Sequence, residues 1–370
     1  MKITRLDKQP RALRFFPDAD DPARTMTADD VESVVEIFET PLTGAYNWDY
    51  TEGRGRIMKL YELGKALNWN ATVDVDWSVP FPRGEFAQDE AMNPFRGFDQ
   101  YEALTPEQKV EFSWHRLASQ LSQFLHGEQG ALLVASQLAS CAPSFDAKLY
   151  AASQTFDEAR HVEVFNKYLQ ERVGLMYPMG PNLKLLIDKI LTDPRWDLKF
   201  IGMQIIIEGL ALAAFNTAKM TARDPVLRQL IQYVIRDEAR HVTFGVNYLE
   251  EFVKTLSAAE VEERAQFAYE ACVVMRDRLA ATEIYEHFGF DVERAREQIL
   301  MSMSGNSESR QTFAQLLFGR VIPNLKRIGL LTDRVRPLYE QLGVLQFEAL
   351  PHDGITDWDE LSKPLFAGVS

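Results

Sequence analysis

Between residues 105 and 256, apolar positions recur at helical spacing through four long stretches separated by short runs of turn formers. The first opens on Thr105-Pro106-Glu107-Gln108, a capping box with proline at the first helical position, and runs to about residue 140. After the turn Cys141-Ala142-Pro143-Ser144, the second covers 146–173 and stops at Gly174, Pro178, Gly180 and Pro181. A short amphipathic helix at 183–191 leads to the third stretch, 196–222, and the turn Arg223-Asp224-Pro225 to the fourth, 226–256.

The flanks read differently. Residues 1–100 mix helical stretches at 28–39 and 55–67 with proline-bearing aromatic segments such as Asp76-Trp77-Ser78-Val79-Pro80-Phe81-Pro82. They are expected to form an arm that wraps on the helical body and buries Trp69, Trp77 and Phe81. Downstream, Ser257-Ala258-Ala259-Glu260 caps a further helix to about residue 287. Helical patterns follow at 292–302, 308–328 and 333–342, with Pro323 expected to bend or divide the second of these three. The expected organisation is an arm at 1–100, a helical bundle at 101–256, additional C-terminal helices at 257–350 and a loosely held tail at 351–370.

Within the bundle, Asp157-Glu158-Ala159-Arg160-His161-Val162 recurs unchanged as Asp237-Glu238-Ala239-Arg240-His241-Val242, an offset of 80 residues. Each copy places Glu and His at i and i+3, one turn apart on one helix face and close enough to grip one metal ion. The same offset relates Glu128 to Glu208, each 30 residues before its Glu-x-x-His. Both lie in apolar runs, where a carboxylate is costly to bury unless something positive holds it. The turns fall midway between Glu128 and Glu158 and between Glu208 and Glu238, so each hairpin returns its second glutamate to the level of the first. Two such hairpins joined by a long link predict an all-α fold, a ferritin-like four-helix bundle with one long crossover.

The candidate metal ligands are therefore Glu128, Glu158, His161, Glu208, Glu238 and His241. Four carboxylates and two imidazoles suit iron or manganese better than a thiolate-loving ion, and four ionised Glu balance two divalent cations. Asp157 and Asp237 are expected to orient the histidines in a crossed arrangement, Asp157 to His241 and Asp237 to His161, with Arg160 and Arg240 pairing those aspartates. Gly245 stands one turn after His241, where Phe165 follows His161; it signals either open volume beside the metals or close helix packing. Ala131, Leu132, Ala135, Ala211, Leu212 and Phe215 would line an apolar pocket. His115, His126, His287 and His352 are excluded as ligands of this centre.

Bulk properties narrow the class. A net charge of −14 argues against nucleic acid or an anionic membrane surface as partner. Two cysteines give neither a disulfide framework nor a cluster spacing. The first residues lack a hydrophobic signal segment, and the longest apolar run, 200–215, carries a Glu and is short for a membrane span; a cytoplasmic protein is expected.

The doubled Asp-Glu-x-Arg-His resembles the di-iron oxygenase branch of the ferritin-like superfamily over residues 105–256. In motif it is closest to the catalytic subunits of bacterial multicomponent monooxygenases, and it is similar to acyl-carrier-protein desaturases and p-aminobenzoate N-oxygenases. The resemblance implies that Glu128, Glu158 and His161 bind one iron and Glu208, Glu238 and His241 the other, with Glu158 and Glu238 bridging or shifting; the crossed Asp–His pairs are likewise implied. The chain departs from these families at Val234, where the N-oxygenases have a further His, at Leu212, where the multicomponent hydroxylases have Thr, and at Phe165, where the ribonucleotide reductase small subunit usually has its radical Tyr.

The expected function is that of a di-iron oxygenase using dioxygen as co-substrate to hydroxylate or N-oxygenate a small apolar or aromatic substrate. No dinucleotide fingerprint such as G-x-G-x-x-G is present, so electrons would come from a separate ferredoxin or reductase. The alternatives are a Mn/Fe or di-iron oxidase or desaturase, and an iron-storage or ferroxidase protein; large flanking regions argue against the last. The spare C-terminal helices are candidates for a homodimer contact.

Overall fold

The computed structural model describes residues 36, 38–51, 55–276, 282–304 and 308–354. The fold is all-α. Helix α1 is Arg56–Ala66. The four long helices follow. α2 is Pro106–Cys141, α3 is Phe145–Tyr168 with a π-helical extension Leu169–Val173, α5 is Trp196–Thr221 and α6 is Pro225–Phe252. The crossover carries α4, Pro181–Thr192. Beyond the bundle lie α7 (Ala258–Arg276), α8 (Thr282–His287), α9 (Val292–Ser304), α10 (Glu308–Arg327) and α11 (Arg336–Gln341).

Local chemistry sets these boundaries. Thr105 and Gln108 make the reciprocal capping box, Thr105 Oγ1 accepting from Gln108 N at 3.3 Å and Gln108 Oε1 from Thr105 N at 2.9 Å. Ser144 caps α3 and Asp224 caps α6, so both bundle turns end on a residue whose side chain satisfies a free helix N–H. Gly174 closes α3 at φ +69°, its N–H reaching back to Leu169 O at 2.7 Å. α5 is interrupted by a π-helical run, Ile201–Ile207, immediately before Glu208. Such widened turns occur often beside functional residues, because they re-aim the side chains that follow.

The bundle holds two apolar cores. One gathers Val134, Leu138, Tyr150, Ile205, Val242 and Phe244; the other gathers Phe124, Val164, Phe165, Phe215, Leu230 and Val234. Along every long helix the first set lies on one side of the motif residues and the second set on the other. A buried polar layer therefore crosses the bundle at mid-depth. α5 is long and apolar enough to cross a membrane, yet 89% of its most apolar window is buried within this fold.

The arm closes over one side of the bundle. Asp89 N donates to Thr221 O at 2.8 Å and Arg223 N to Ala87 O at 3.1 Å, pairing the arm with the α5–α6 turn. Trp69 is buried, whereas Trp77 and Phe81 are only half-buried, since both pack at the margin of the second core. Most of the helix expected at 28–39, and most of the tail beyond 351, lie outside the described residues. Of the helix expected from 257 to 287, α7 and α8 are described, and 277–281 lie outside the described residues; the last predicted helix contracts to α11. α10 is assigned as one helix through Pro323: proline removes one N–H from the ladder without ending the helix here.

Candidate metal centre

The six predicted ligands come together in the polar layer. Glu158, His161 and His241 are fully enclosed, Glu238 is 1% exposed, Glu208 3% and Glu128 6%. Nδ1 of His161 lies 3.1 Å from Glu128 Oε2, 3.3 Å from Glu158 Oε2 and 3.1 Å from Glu238 Oε1. Nδ1 of His241 lies 3.1 Å from Glu158 Oε1 and 3.6 Å from Glu238 Oε1. Two donor groups result: Glu128, Glu158, His161 and Glu238 in one, Glu158, Glu208 and His241 in the other, each within 4.8 Å. Glu158 belongs to both, and Glu238 approaches both imidazoles.

Orphaned atoms give the cage its meaning. Glu158 Oε2, Glu208 Oε2, both oxygens of Glu238 and Nδ1 of His241 are buried without a hydrogen-bond partner. Buried polar atoms normally find partners, and each exception calls for an explanation. Five orphans converging on one water-excluded layer are explained by cations: the donor set, its burial and its charge fit two divalent ions.

Electrostatics without metal point the same way. Burial, and then the charge of Glu238, hold the carboxyls of Glu128 and Glu208 well above the usual carboxylate range. Burial works against protonation of His161, but its contacts with Asp237, Glu128, Glu158 and Glu238 prevail and raise it; His241 is raised similarly by Glu158 and Glu238. Burial would raise Glu158 too, yet its contacts with His241 and His161 override that and lower it. Protons thus stand in for positive charge that metal ions would supply.

The crossed arrangement is present. Asp157 Oδ2 is 3.1 Å from His241 Nε2, and Asp237 Oδ2 is 3.2 Å from His161 Nε2. Arg240 Nη2 binds Asp157 at 2.9 Å and Asp237 at 2.8 Å; Arg160 pairs with Asp157 and reaches Asp237 at 3.1 Å. Both guanidiniums are buried against the two aspartates, and with Nε2 of each histidine facing an aspartate both histidines present Nδ1 to the cage.

Three contributors were not foreseen. The Trp69 indole N–H donates to Asp237 Oδ2 at 2.7 Å, tying the arm to the orienting carboxylate. Gln154, fully buried, donates through Nε2 to Glu158 Oε1 at 3.1 Å and to Glu208 Oε1 at 2.8 Å. Gln204 Nε2 donates to Gln154 Oε1 at 3.4 Å. Gln154 stands one turn before Glu158, a spacing that was readable in the sequence; nothing local marked Trp69.

Of the two readings of Gly245, close packing holds. A Cβ there would lie 2.6 Å from Gln204 Cβ and 3.3 Å from Ile205 Cδ1, leaving no open volume. Beside the cage, Phe124, Phe165 and Phe215 form an aromatic wall, with centroids 4.6 Å apart for Phe124–Phe215 and 5.8 Å for the stacked Phe165–Phe215. Ala131, Ala135, Leu212 and Phe215 are buried, while Leu132 and Ala211 are half-buried. His115, His126 and His287 stay out of the cage: His115 and His126 bond to Tyr177 instead.

Fold and donor set together place the protein among the ferritin-like di-iron oxidoreductases. Residues 52–329 match the sequence profile of the family described as P-aminobenzoate N-oxygenase AurF, well over half of the chain, and the chain belongs to that family. Among solved structures it is similar to an R2-like ligand-binding oxidase with aerobically reconstituted metal cofactor after photoconversion (17% identity over 77% of this chain and 97% of that one, TM-score 0.45). A variant of an R2-like ligand-binding oxidase with anaerobically reconstituted Mn/Fe cofactor is similar at 19% identity, covering 75% of this chain and 94% of that one, TM-score 0.44. Among curated proteins none shows significant similarity to the chain.

Proposed function

We propose that this oxidoreductase is an oxygenase of small aromatic or apolar molecules, hydroxylating carbon or oxygenating an amine nitrogen. Glu128, Glu158 and His161 would hold one metal ion and Glu208, Glu238 and His241 the other; Glu158 and Glu238 each approach both imidazoles. The observation that carries the reading is the set of buried, unpartnered ligand atoms facing one another in the polar layer. When bound, two iron ions supply open coordination positions and redox equivalents for dioxygen reduction.

The chain's own residues do the rest. Asp157 and Asp237 fix the imidazole tautomers, and Arg160 and Arg240 hold those aspartates in place through ion pairs. The two apolar cores exclude water on either side, so that electrostatic interactions in the layer act at low dielectric. The Phe124–Phe165–Phe215 wall offers a flat apolar surface on which an aromatic ring can stack. Inserting one oxygen atom of dioxygen and releasing the other as water consumes two electrons and two protons; we assign the electrons to a separate ferredoxin or flavin reductase.

The test is anaerobic loading of the full chain with ferrous iron, chemical reduction, then exposure to ¹⁸O-labelled dioxygen with a panel of arylamines and arenes. A product carrying one ¹⁸O atom supports the proposal. Iron oxidation with no labelled product across the panel, or iron uptake that never saturates, overturns it.

A further inference from the structure

The di-metal layer leaves unused a second group of metal-binding side chains on the outer part of α2. Glu111 and His115 stand at i and i+4, one turn apart on one helix face, and His287 ends α8, which packs against α2 there. Ligand atoms of all three lie within 4.8 Å of one another, with Glu111 Oε1 3.9 Å from His115 Nε2. The two imidazoles stack, centroids 4.5 Å apart and planes 21° from parallel. His115 lies 13 residues before Glu128, about 20 Å along the helix at its 1.5 Å rise, so this group is separate from the cage.

We propose that Glu111, His115 and His287 form a second, peripheral site for one divalent transition-metal ion, which clips α8 onto α2. Two imidazoles and one carboxylate are the donor set of zinc and of its close chemical relatives cobalt and nickel. His115 is already prepared as a ligand. It is buried, and its Nδ1 is held 2.6 Å from the Tyr177 hydroxyl, which leaves Nε2 directed at Glu111. A metal-bound histidine characteristically has its second nitrogen engaged in this way.

Burial, and then the neighbouring charges of His287 and Arg83, push the His115 imidazole down to about 4, so it is a free base at neutral pH. Tyr177 is itself fixed, its N–H donating to Ser122 Oγ at 2.9 Å. The two remaining ligands are exposed and free to adjust. Tetrahedral donors on zinc stand about 3.4 Å apart, so rotations of about 1 Å in Glu111 and His287 close the site around an ion, with water in the fourth position. Arg83 interacts electrostatically with both Glu111 and His115 and opposes a cation there; the site is consequently a moderate binder.

The test uses the full chain with its iron already loaded, titrated with Co²⁺ and followed by the visible absorption of four-coordinate cobalt, with iron content measured before and after. The expected result is one cobalt ion per chain beyond the retained iron, displaced by Zn²⁺. Affinity should fall on the order of tenfold or more in His287→Ala and in Glu111→Gln, both exposed positions whose replacement leaves the fold and the iron content unchanged. Equal cobalt binding by wild type and His287→Ala, or no cobalt bound beyond the iron sites, overturns the proposal.

Discussion

Asp157 reaches His241 on the opposite hairpin at 3.1 Å, not the histidine of its own motif, and Asp237 mirrors it by meeting His161 at 3.2 Å. Each motif copy therefore places its Glu and His in the cage and its Asp against the histidine of the other copy. Asp157→Asn should weaken iron chiefly at His241, and Asp237→Asn chiefly at His161, each by about 10–100-fold. Chelator competition combined with Mössbauer spectra of the two iron environments checks this. Loss confined to the iron of the mutated copy would show that the crossing does not govern metal retention.

Two helical glycines should respond in opposite directions to the same change. Gly245→Ala drives a methyl to 2.6 Å from Gln204 Cβ, an atom fixed to backbone that cannot swing aside. Overpacking of this kind costs about 1–3 kcal/mol, more than the gain in helix propensity. At Gly127, half-buried in α2, a Cβ would meet nothing within 4 Å. Gly127→Ala should instead stabilise by up to about 1 kcal/mol. Denaturant unfolding of the metal-free chain measures both signs.

The cage was legible because its geometry is periodic: i, i+3 spacing, an 80-residue offset and midpoint turns bring six candidate ligands to one level without knowledge of any long-range contact. The crossed aspartates were legible for the same reason, as a consequence of pseudo-twofold symmetry. What escaped is what breaks that symmetry. Gln154 corresponds to Val234 in the second copy, so no repetition announced it. Trp69 meets Asp237 across 168 residues from a segment without periodicity. The π-helical run before Glu208 has the same apolar composition as a regular buried helix, and only its hydrogen bonds distinguish it.

Metal removal should make stability fall as pH rises. In the metal-free cage Glu128 and Glu208 are raised by burial and by Glu238, and His161 and His241 are raised by the surrounding carboxylates despite burial. A group whose folded pKa exceeds its unfolded value contributes stability that is complete below the unfolded value and lost as pH climbs through the folded one. Asp237 and Glu158 are lowered against the pull of burial, and their contribution disappears only in acid. The chelated chain should therefore be most stable in mildly acidic solution, with a lower Tm at about pH 8.5 than at about pH 6. Ferrous loading should release protons, detectable with an indicator dye in weak buffer. A Tm of the chelated chain that rises across this range would contradict the assignment of protons to the cage.

Gln154 offers a test of how the two metal positions differ. Its single amide donates to Glu158 Oε1 and Glu208 Oε1, and its carbonyl accepts from Gln204, so it braces Glu158, which belongs to both donor groups, and Glu208, which belongs only to the His241 group. Gln154→Leu keeps the approximate volume but leaves Glu208 without that donor and Gln204 Nε2 without that acceptor. An unsatisfied buried group costs about 1–3 kcal/mol in the metal-free chain. With metal present, the loss should appear as weaker iron binding that is larger at the His241 position, where Glu208 and Glu158 both lose a donor, than at the His161 position, where only Glu158 does. Gln154→Glu should be worse in the metal-free chain at neutral pH, because it replaces a donor by a further buried acid against Glu158 and the already raised Glu208. Both variants are read by iron stoichiometry, Tm and the two Mössbauer components. Full, symmetric iron loading in Gln154→Leu would reduce Gln154 to a space-filling residue, and the asymmetry between the hairpins would then have to come from other positions at which the two copies differ, such as Phe165 against Gly245.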